Sequence, residues 1–255
     1  MIGAELFGRI AAPDAAGWAA VFAAPFIGSF LGVLVRRLPE GKPIVWARSR
    51  CEACDAVLQP RDLLPLVSWL GTSGRCRFCS HPLGSFYPAI ELAAVAVAGA
   101  AAACDHGAGV WLDCVLGWWL LALAWIDWRH WLLPDRLTLP LVLVGLAAAA
   151  AFDRANLLDR ALGAAAGYLA LRVVAITYRR LRGHEGLGIG DAKLLAASGA
   201  WVGAAALAEV VLFAAVAGLV TAAGLRLVGI RLGLRSALPF GPFLALGTWL
   251  VWMSL

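Results

Sequence analysis

The sequence predicts an all-α polytopic membrane protein of about eight transmembrane helices, with a small cytoplasmic zinc-ribbon-like insertion between helices 1 and 2. Three observations carry this. Of the 255 residues, 62% are hydrophobic and only 15% are charged. The apolar residues fall in long blocks instead of helical stripes or strand-like alternation, the pattern of spans and not of a soluble core. The one long polar stretch carries two Cys-x-x-Cys pairs.

Residues 1–16 read as a weakly amphipathic lead-in. The first apolar block, Gly17 to Leu34, is followed by the basic pair Arg36-Arg37 and not preceded by one, which argues for a retained span over a secretory signal. Blocks of roughly 17 to 25 apolar residues then give spans at 17–35, 86–104, 109–126, 136–152, 160–178, 192–204, 205–226 and 238–254. The sixth is short and punctuated by glycine, so seven is the alternative count. Alanine runs such as Ala147 to Ala151 read as packing surface, because small side chains let helices approach closely in lipid. No internal repeat is evident.

Orientation follows from the basic residues. Arg36, Arg37, Lys42, Arg48, Arg50, Arg61, Arg75 and Arg77 lie between the first two spans, and the next loop, around Asp105 and His106, has none. Alternation puts Arg129, Arg136, Arg179, Arg180, Arg182, Lys193, Arg226, Arg231 and Arg235 on the same side as that segment, and Arg9, Arg154 and Arg160 opposite. The positive-inside rule makes that side cytoplasmic. Topology and contact with anionic lipid headgroups explain the net charge of +5, with no nucleic-acid partner required.

Residues 38–87 form the only soluble unit, flanked by a lead-in and first span at 1–37 and a membrane domain at 88–255. A segment of that size cannot bury a self-sufficient core and needs a staple. Cys51-Glu52-Ala53-Cys54 and Cys76-Arg77-Phe78-Cys79, 21 residues apart, supply one. Four thiolates can close a tetrahedral zinc site and contribute folding free energy. Arg50, Arg75 and Arg77 flank the thiols and favour their ionised form. The alternatives are two disulfides, disfavoured in the cytoplasm, or a redox pair, which needs no second knuckle. Cys104 and Cys114 are read as apolar helix residues, with a cross-loop pair as the alternative.

Two carboxylates stand at span boundaries: Asp127 in Ala124-Trp125-Ile126-Asp127-Trp128, and Asp191 closing Gly188-Ile189-Gly190-Asp191. Both fall at cytoplasmic ends. A charge there is costly and points to a task. Asp191 at a helix start is the better candidate for the ionised form, and Asp127 at a helix end for the protonated form. If they meet, mutual repulsion lets only one ionise readily, and the pair can run acid–base hydrolysis of a peptide bond. The bland alternatives are an N-cap for Asp191 and an interfacial anchor paired with Arg129 for Asp127. Gly188 and Gly190 shape the backbone for close approach of a substrate, and Lys193 follows two residues after Asp191. Glu91, inside the second span, is a functional candidate because it is an intramembrane carboxylate. Asp135 reads as a helix cap and Glu209 as solvated, while Trp111, Trp118, Trp119, Trp128, Trp131 and Trp201 read mostly as an interfacial belt.

With these residues placed, nearly the whole chain resembles the bacterial type IV prepilin peptidases, leader peptidases of pilus and type II secretion systems. The resemblance rests on Gly28-Ser29-Phe30-Leu31 leading to Arg37-Leu38-Pro39, on the paired knuckles with Pro65-Leu66-Val67-Ser68-Trp69 between them, and on Tyr87-Pro88-Ala89-Ile90-Glu91. It continues through Ile126-Asp127, Leu133-Pro134-Asp135, Gly188 to Leu195 and Pro239-Phe240-Gly241-Pro242-Phe243. It implies that Asp127 and Asp191 are the dyad of an intramembrane aspartic protease. The substrates it implies are prepilins and pseudopilins, cleaved at the cytoplasmic face of the inner membrane after a short basic leader ending in Gly. It also implies methylation of the new N-terminus with S-adenosylmethionine through the cytoplasmic segment. Gly32 stands where Asn is common, Leu63 replaces the Asn of a usual Asp-Asn-Ile-Pro stretch, and Phe86 stands where Arg commonly precedes Tyr-Pro; these departures bear on methyl transfer and leave both aspartates intact. Two other classes compete: a proton-coupled transporter, for which broken midplane helices are expected, and a zinc-ribbon membrane adaptor, which needs neither aspartate.

Overall fold

A computed structural model describes residues 12–46, 48–183, 188–229 and 238–255. Most of the N-terminal lead-in, with Arg9, and also Arg231 and Arg235 lie outside the described residues. Among those described, the regular structure is helical: α1 (Ala15–Arg37), the short α2 (Val67–Gly71), α3 (Phe86–Cys104), α4 (Ala108–His130), α5 (Asp135–Phe152), α6 (Leu157–Arg182), α7 (Ile189–Val202), α8 (Leu207–Leu227) and α9 (Gly241–Ser254). Every expected span is thus a helix. Six are long and apolar enough to cross a membrane: α1, α3, α4, α5, the stretch Arg154–Arg182 and α8. With 14 residues each, α7 and α9 reach about 21 Å at 1.5 Å per residue, short of the roughly 30 Å of a bilayer's hydrocarbon. The chain divides inside α4 into two compact units, Met1–Ala122 and Leu123–Leu255.

In the first unit α1 starts on Asp14, whose carboxylate accepts the Gly17 N–H at 2.8 Å, an N-cap that satisfies an otherwise free donor. Its other oxygen accepts the Gly107 N–H at 2.8 Å, tying the start of α1 to the turn between α3 and α4. Glycines then let α1 lie against α3. A Cβ on Gly17 would stand 2.9 Å from the Ala102 side chain, one on Gly28 2.6 Å from the Glu91 Cα, and one on Gly32 2.7 Å from the Tyr87 ring. The order 17–102, 28–91, 32–87 is that of an antiparallel pair. It also accounts for Gly32: the Tyr87 ring occupies the space an asparagine side chain would need. Phe86 carries the Arg36 guanidinium over its ring, 5.2 Å from the centroid.

Local structure in the polar segment repeats, which corrects the reading that the chain has no internal repeat. Cys51 N–H donates to Ala56 O at 3.0 Å, and Cys76 N–H donates to His81 O at 2.9 Å. Asp55 and Ser80, each just after its second cysteine, both have positive φ. Short antiparallel bridges, Arg50 with Val57 and Arg75 with Pro82, close the two knuckles alike. The repeat is one of backbone geometry, and only the cysteines and preceding arginines announce it in sequence.

The second unit is built around α7. From Leu194 to Val202 every residue is buried, as expected of a helix that is apolar all round. It packs against α5, α6, α8 and α9. Against α6 the backbones nearly touch: a Cβ on Gly199 would stand 2.2 Å from Gly163 O, and one on Gly167 2.5 Å from Leu195 O. Gly163 and Gly167, four apart, form a small-residue face of the kind that lets membrane helices approach. Ser198 and Thr248 hydroxyls meet at 2.6 Å inside the unit. At the C-terminal end of α7, the Trp201 indole donates to Leu141 O at 3.0 Å, and Asp159 accepts the Ala204 N–H at 3.1 Å.

Two tryptophans leave the expected interfacial belt. Trp201 is fully buried, and Trp118, in the first unit, is buried with its indole donating to Ala94 O at 3.0 Å. A buried indole needs an acceptor, and helix carbonyls supply both. Trp111, Trp128 and Trp131 are exposed, as a belt requires. Glu209 is exposed, and Cys104 and Cys114 are not joined in a disulfide.

Candidate active site

Asp127 lies in the last turn of α4 and is buried, although it carries an ionisable carboxyl. Its Oδ2 accepts the N–H of Gly241, the first residue of α9, at 3.0 Å. A free helix-start amide is suited to a carboxylate, because the first N–H groups of a helix have no partner within it. The approach requires glycine, since a Cβ on Gly241 would stand 2.6 Å from the same oxygen.

Asp191 is the third residue of α7, and Gly188 takes the N-cap position. That corrects the N-cap alternative for Asp191. Its carboxylate instead reaches back to the Gly188 N–H, and it lies close enough to Asp127 for the two charges to repel. Gly190 packs against Leu133, whose side chain would stand 2.8 Å from a Cβ there. Lys193 Nζ meets Asp135 Oδ1 at 2.5 Å. Asp135 is therefore the first helical residue of α5 and half of an ion pair, where a cap was expected; Pro134 stands at the cap position. Together Gly190 and Lys193 hold the first turn of α7 on the Leu133-Pro134-Asp135 corner, and Asp191 sits between them.

The second unit thus brings together Asp127, Asp191, Gly188, Gly190 and Lys193, and adds Gly241, Leu133 and Asp135. Sequence reasoning missed the role of Gly241. Its only signal was the Pro-Phe-Gly-Pro stretch, which reads as a helix start but cannot name the carboxylate it serves. Gly241→Ala is expected to push Asp127 out of line and lower peptide cleavage by about tenfold, within the range for a displaced catalytic group, with metal content unchanged. Cleavage at the parental rate would show that the Gly241 contact is dispensable.

In the first unit Cys51, Cys54, Cys76 and Cys79 converge, all four sulfur atoms within 4.8 Å of one another, and could hold a metal ion. All are free thiols, so the disulfide alternative is not what the fold forms. The backbone N–H groups of Cys54 and Ala53 aim at Cys51 and bring its thiol down to about 6. At Cys79 the His81 N–H favours the thiolate, but partial loss of hydration at the sulfur and the three other sulfurs crowded against it outweigh this and push the thiol up to about 12. Four sulfurs in one site cannot all ionise without a cation among them. Asp62 and Arg77 pair at 2.8 Å beside the cluster, and Arg36 pairs with Glu52 inside the first knuckle. Glu91 is buried, its Oε2 accepting the Leu66 N–H at 2.8 Å.

Comparison with known proteins identifies the family. The model of the Type IV leader peptidase family matches residues 114–223, and that of the bacterial peptidase A24 N-terminal domain matches residues 22–104. The first contains both aspartates and the second all four clustered cysteines. A Burkholderia pseudomallei protein named prepilin leader peptidase/N-methyltransferase is 40% identical over 250 residues, covering 87% of this chain and 80% of its own. Proteins of the same name from Pseudomonas aeruginosa and Dichelobacter nodosus are 37% and 35% identical over 255 residues, covering 88% and 89% of this chain and 85% and 87% of theirs. No solved structure matches. The chain belongs to the type IV leader peptidase family. These matches favour neither the transporter nor the adaptor.

Proposed function

We propose that this chain is an aspartic endopeptidase that removes the basic leader of type IV prepilins and pseudopilins, and then methylates the new N-terminus. The observation that carries the reading is the placement of Asp127, at the end of α4 on the Gly241 N–H, within electrostatic reach of Asp191 in the first turn of α7. Two carboxylates so close cannot both ionise readily, so one is held as a base and the other as an acid. The base takes a proton from water as it attacks the scissile carbonyl, while the acid gives its proton to the carbonyl oxygen; when the resulting diol collapses, the proton taken from water passes to the leaving amine and one diol hydroxyl returns its proton to the dyad. The Gly241 N–H orients Asp127, and the Gly188 N–H orients Asp191. Gly188 leaves the space beside the Asp191 carboxylate free of a side chain, Gly190 lets the first turn of α7 close on Leu133, and Lys193 acts at a distance from the peptide, through Asp135. A substrate helix must open locally before its peptide bond can react, and a glycine at the cleavage junction eases that.

Zinc is the ion we assign to the cysteines. Tetrahedral zinc with Zn–S near 2.3 Å needs sulfurs about 3.8 Å apart, and Cys51 and Cys79 stand at 3.9 Å. A four-thiolate shell leaves no open position, so the metal is structural. Methyl transfer is assigned to the region of residues 22–104, since the relatives' names carry two activities and both aspartates lie in the other matched region. S-adenosylmethionine would supply the methyl group. The arginine-rich ends of the helices favour a cytoplasmic catalytic face and an inner-membrane location, with lipid as the surrounding partner and residues 38–87 as the zinc segment.

The test is incubation of the purified chain with a matched prepilin and S-adenosylmethionine, followed by mass spectrometry. Loss of the leader and a gain of one methyl mass are expected. An intact leader would overturn the peptidase reading, and a processed product without the methyl increment the second activity.

A further inference from the structure

Pro65, Leu66 and Val67 form a turn that the chain does not adopt readily. Leu66 has φ +58° and ψ −48°, and Val67 N–H donates to Pro65 O at 2.5 Å. A three-residue turn with positive φ at its centre is the strained γ-turn, rare beside its inverse form. A branched side chain makes that backbone region costlier, and such residues persist only where surroundings over-determine them. Here the surroundings are Glu91. It lies in a membrane helix, is 4% exposed, and accepts the Leu66 N–H at 2.8 Å. Ser29 of α1 hydrogen-bonds to the same carboxylate through its side chain. Gly28, next to Ser29, brings α1 within 2.6 Å, from an added Cβ, of the Glu91 Cα. One buried carboxylate therefore joins α1, α3 and the strained turn that opens α2. No charged or neutral role in chemistry is needed to explain why a carboxylate is kept inside this helix.

We propose that Glu91 is a positioning residue for methyl transfer: it clasps the strained Leu66 turn and so seats residues 60–72 of the zinc segment on α1 and α3. This rests on the assignment of methyl transfer to the region of residues 22–104. Glu91, Leu66 and Ser29 all lie in that region, and both aspartates lie outside it. Glu91 thus separates the two activities, governing methylation and leaving peptide cleavage to the other unit's own contacts.

The experiment uses the full chain in lipid nanodiscs with prepilin and S-adenosylmethionine, reading leader removal, methyl addition and hydrogen exchange across residues 60–72. In Glu91→Ala, loss of a hydrogen bond to a charged group should speed exchange at the Leu66 amide by about tenfold or more. Methyl addition should fall by a similar factor and leader removal should change by less than about twofold, as expected for sites in separate networks. Glu91→Gln keeps an acceptor oxygen and is expected to retain both activities. The discriminating variant is Leu66→Gly in the Glu91→Ala background. Glycine adopts positive φ without strain, so the turn forms without its clasp and methyl addition recovers, which a general stabilising role for Glu91 does not predict. Unchanged exchange in Glu91→Ala overturns the clasp. Faster exchange with undiminished methylation overturns its link to methyl transfer, as does loss of both activities without recovery by glycine. A parental chain that cleaves but never methylates would instead sink the assignment of the second activity, and the exchange measurement would still decide the clasp.

Discussion

Asp127→Asn and Asp191→Asn are each expected to lower leader removal by about 10² to 10⁴-fold, the usual contribution of a positioned acid or base. Asparagine keeps the size of the side chain and one acceptor oxygen, so the contact of residue 127 with the Gly241 N–H and that of residue 191 with the Gly188 N–H can survive. Folding should therefore be retained, with thermal midpoints in detergent close to the parental one. What is lost is the carboxyl that can take or give a proton in the reaction. Because the two carboxylates share one electrostatic environment, removing both should cost little more than removing the more damaging one alone, as for other residues that act as a unit. Mass spectrometry of the processed prepilin measures all three variants. Full cleavage by both single variants would sink the dyad. Multiplying losses in the double variant would mean that the aspartates work separately.

Cys51→Ser and Cys76→Ser should each abolish metal binding, taking zinc content from one ion per chain towards none by elemental analysis. Structural zinc contributes roughly 10 to 16 kcal/mol of apparent folding free energy in small zinc-finger peptides, and residues 38–87 have little else. Cys51 and Cys76 are the buried members of the cluster, while Cys54 and Cys79 are exposed. Truncating either buried thiol removes one knuckle's contribution from inside. The zinc segment should then become sensitive to protease, whereas the helices of the second unit, which hold no cysteine of this cluster, keep their protection. Unchanged zinc content in either variant would contradict a single four-thiolate site. Acid should release the ion as well, since protons compete for the thiolates.

Much of this was legible in one dimension. Hydropathy found eight of the nine described helices, all but the short α2 of the polar segment, because a backbone in lipid must satisfy its own hydrogen bonds and apolar length is the visible consequence. The knuckles were legible because ligand spacing within a chain is local. The tryptophans were less so. Trp118 and Trp201 look like belt residues until Ala94 and Leu141 offer them carbonyls from other helices. Asp135 looked like a cap until Lys193, far along the chain, met it.

What the sequence by itself determined, then, was the class of protein, its spans, its cysteine staple and the identity of two candidate aspartates. These depend on composition and on spacing along one stretch of chain. Only the tertiary structure decided that Asp127 and Asp191 come within electrostatic reach, that Gly241 serves Asp127, and that Glu91 holds the Leu66 turn. Each of those contacts joins residues remote in sequence. Whether such residues meet depends on which small side chains let the helices close upon one another, and no pattern local to either partner records it.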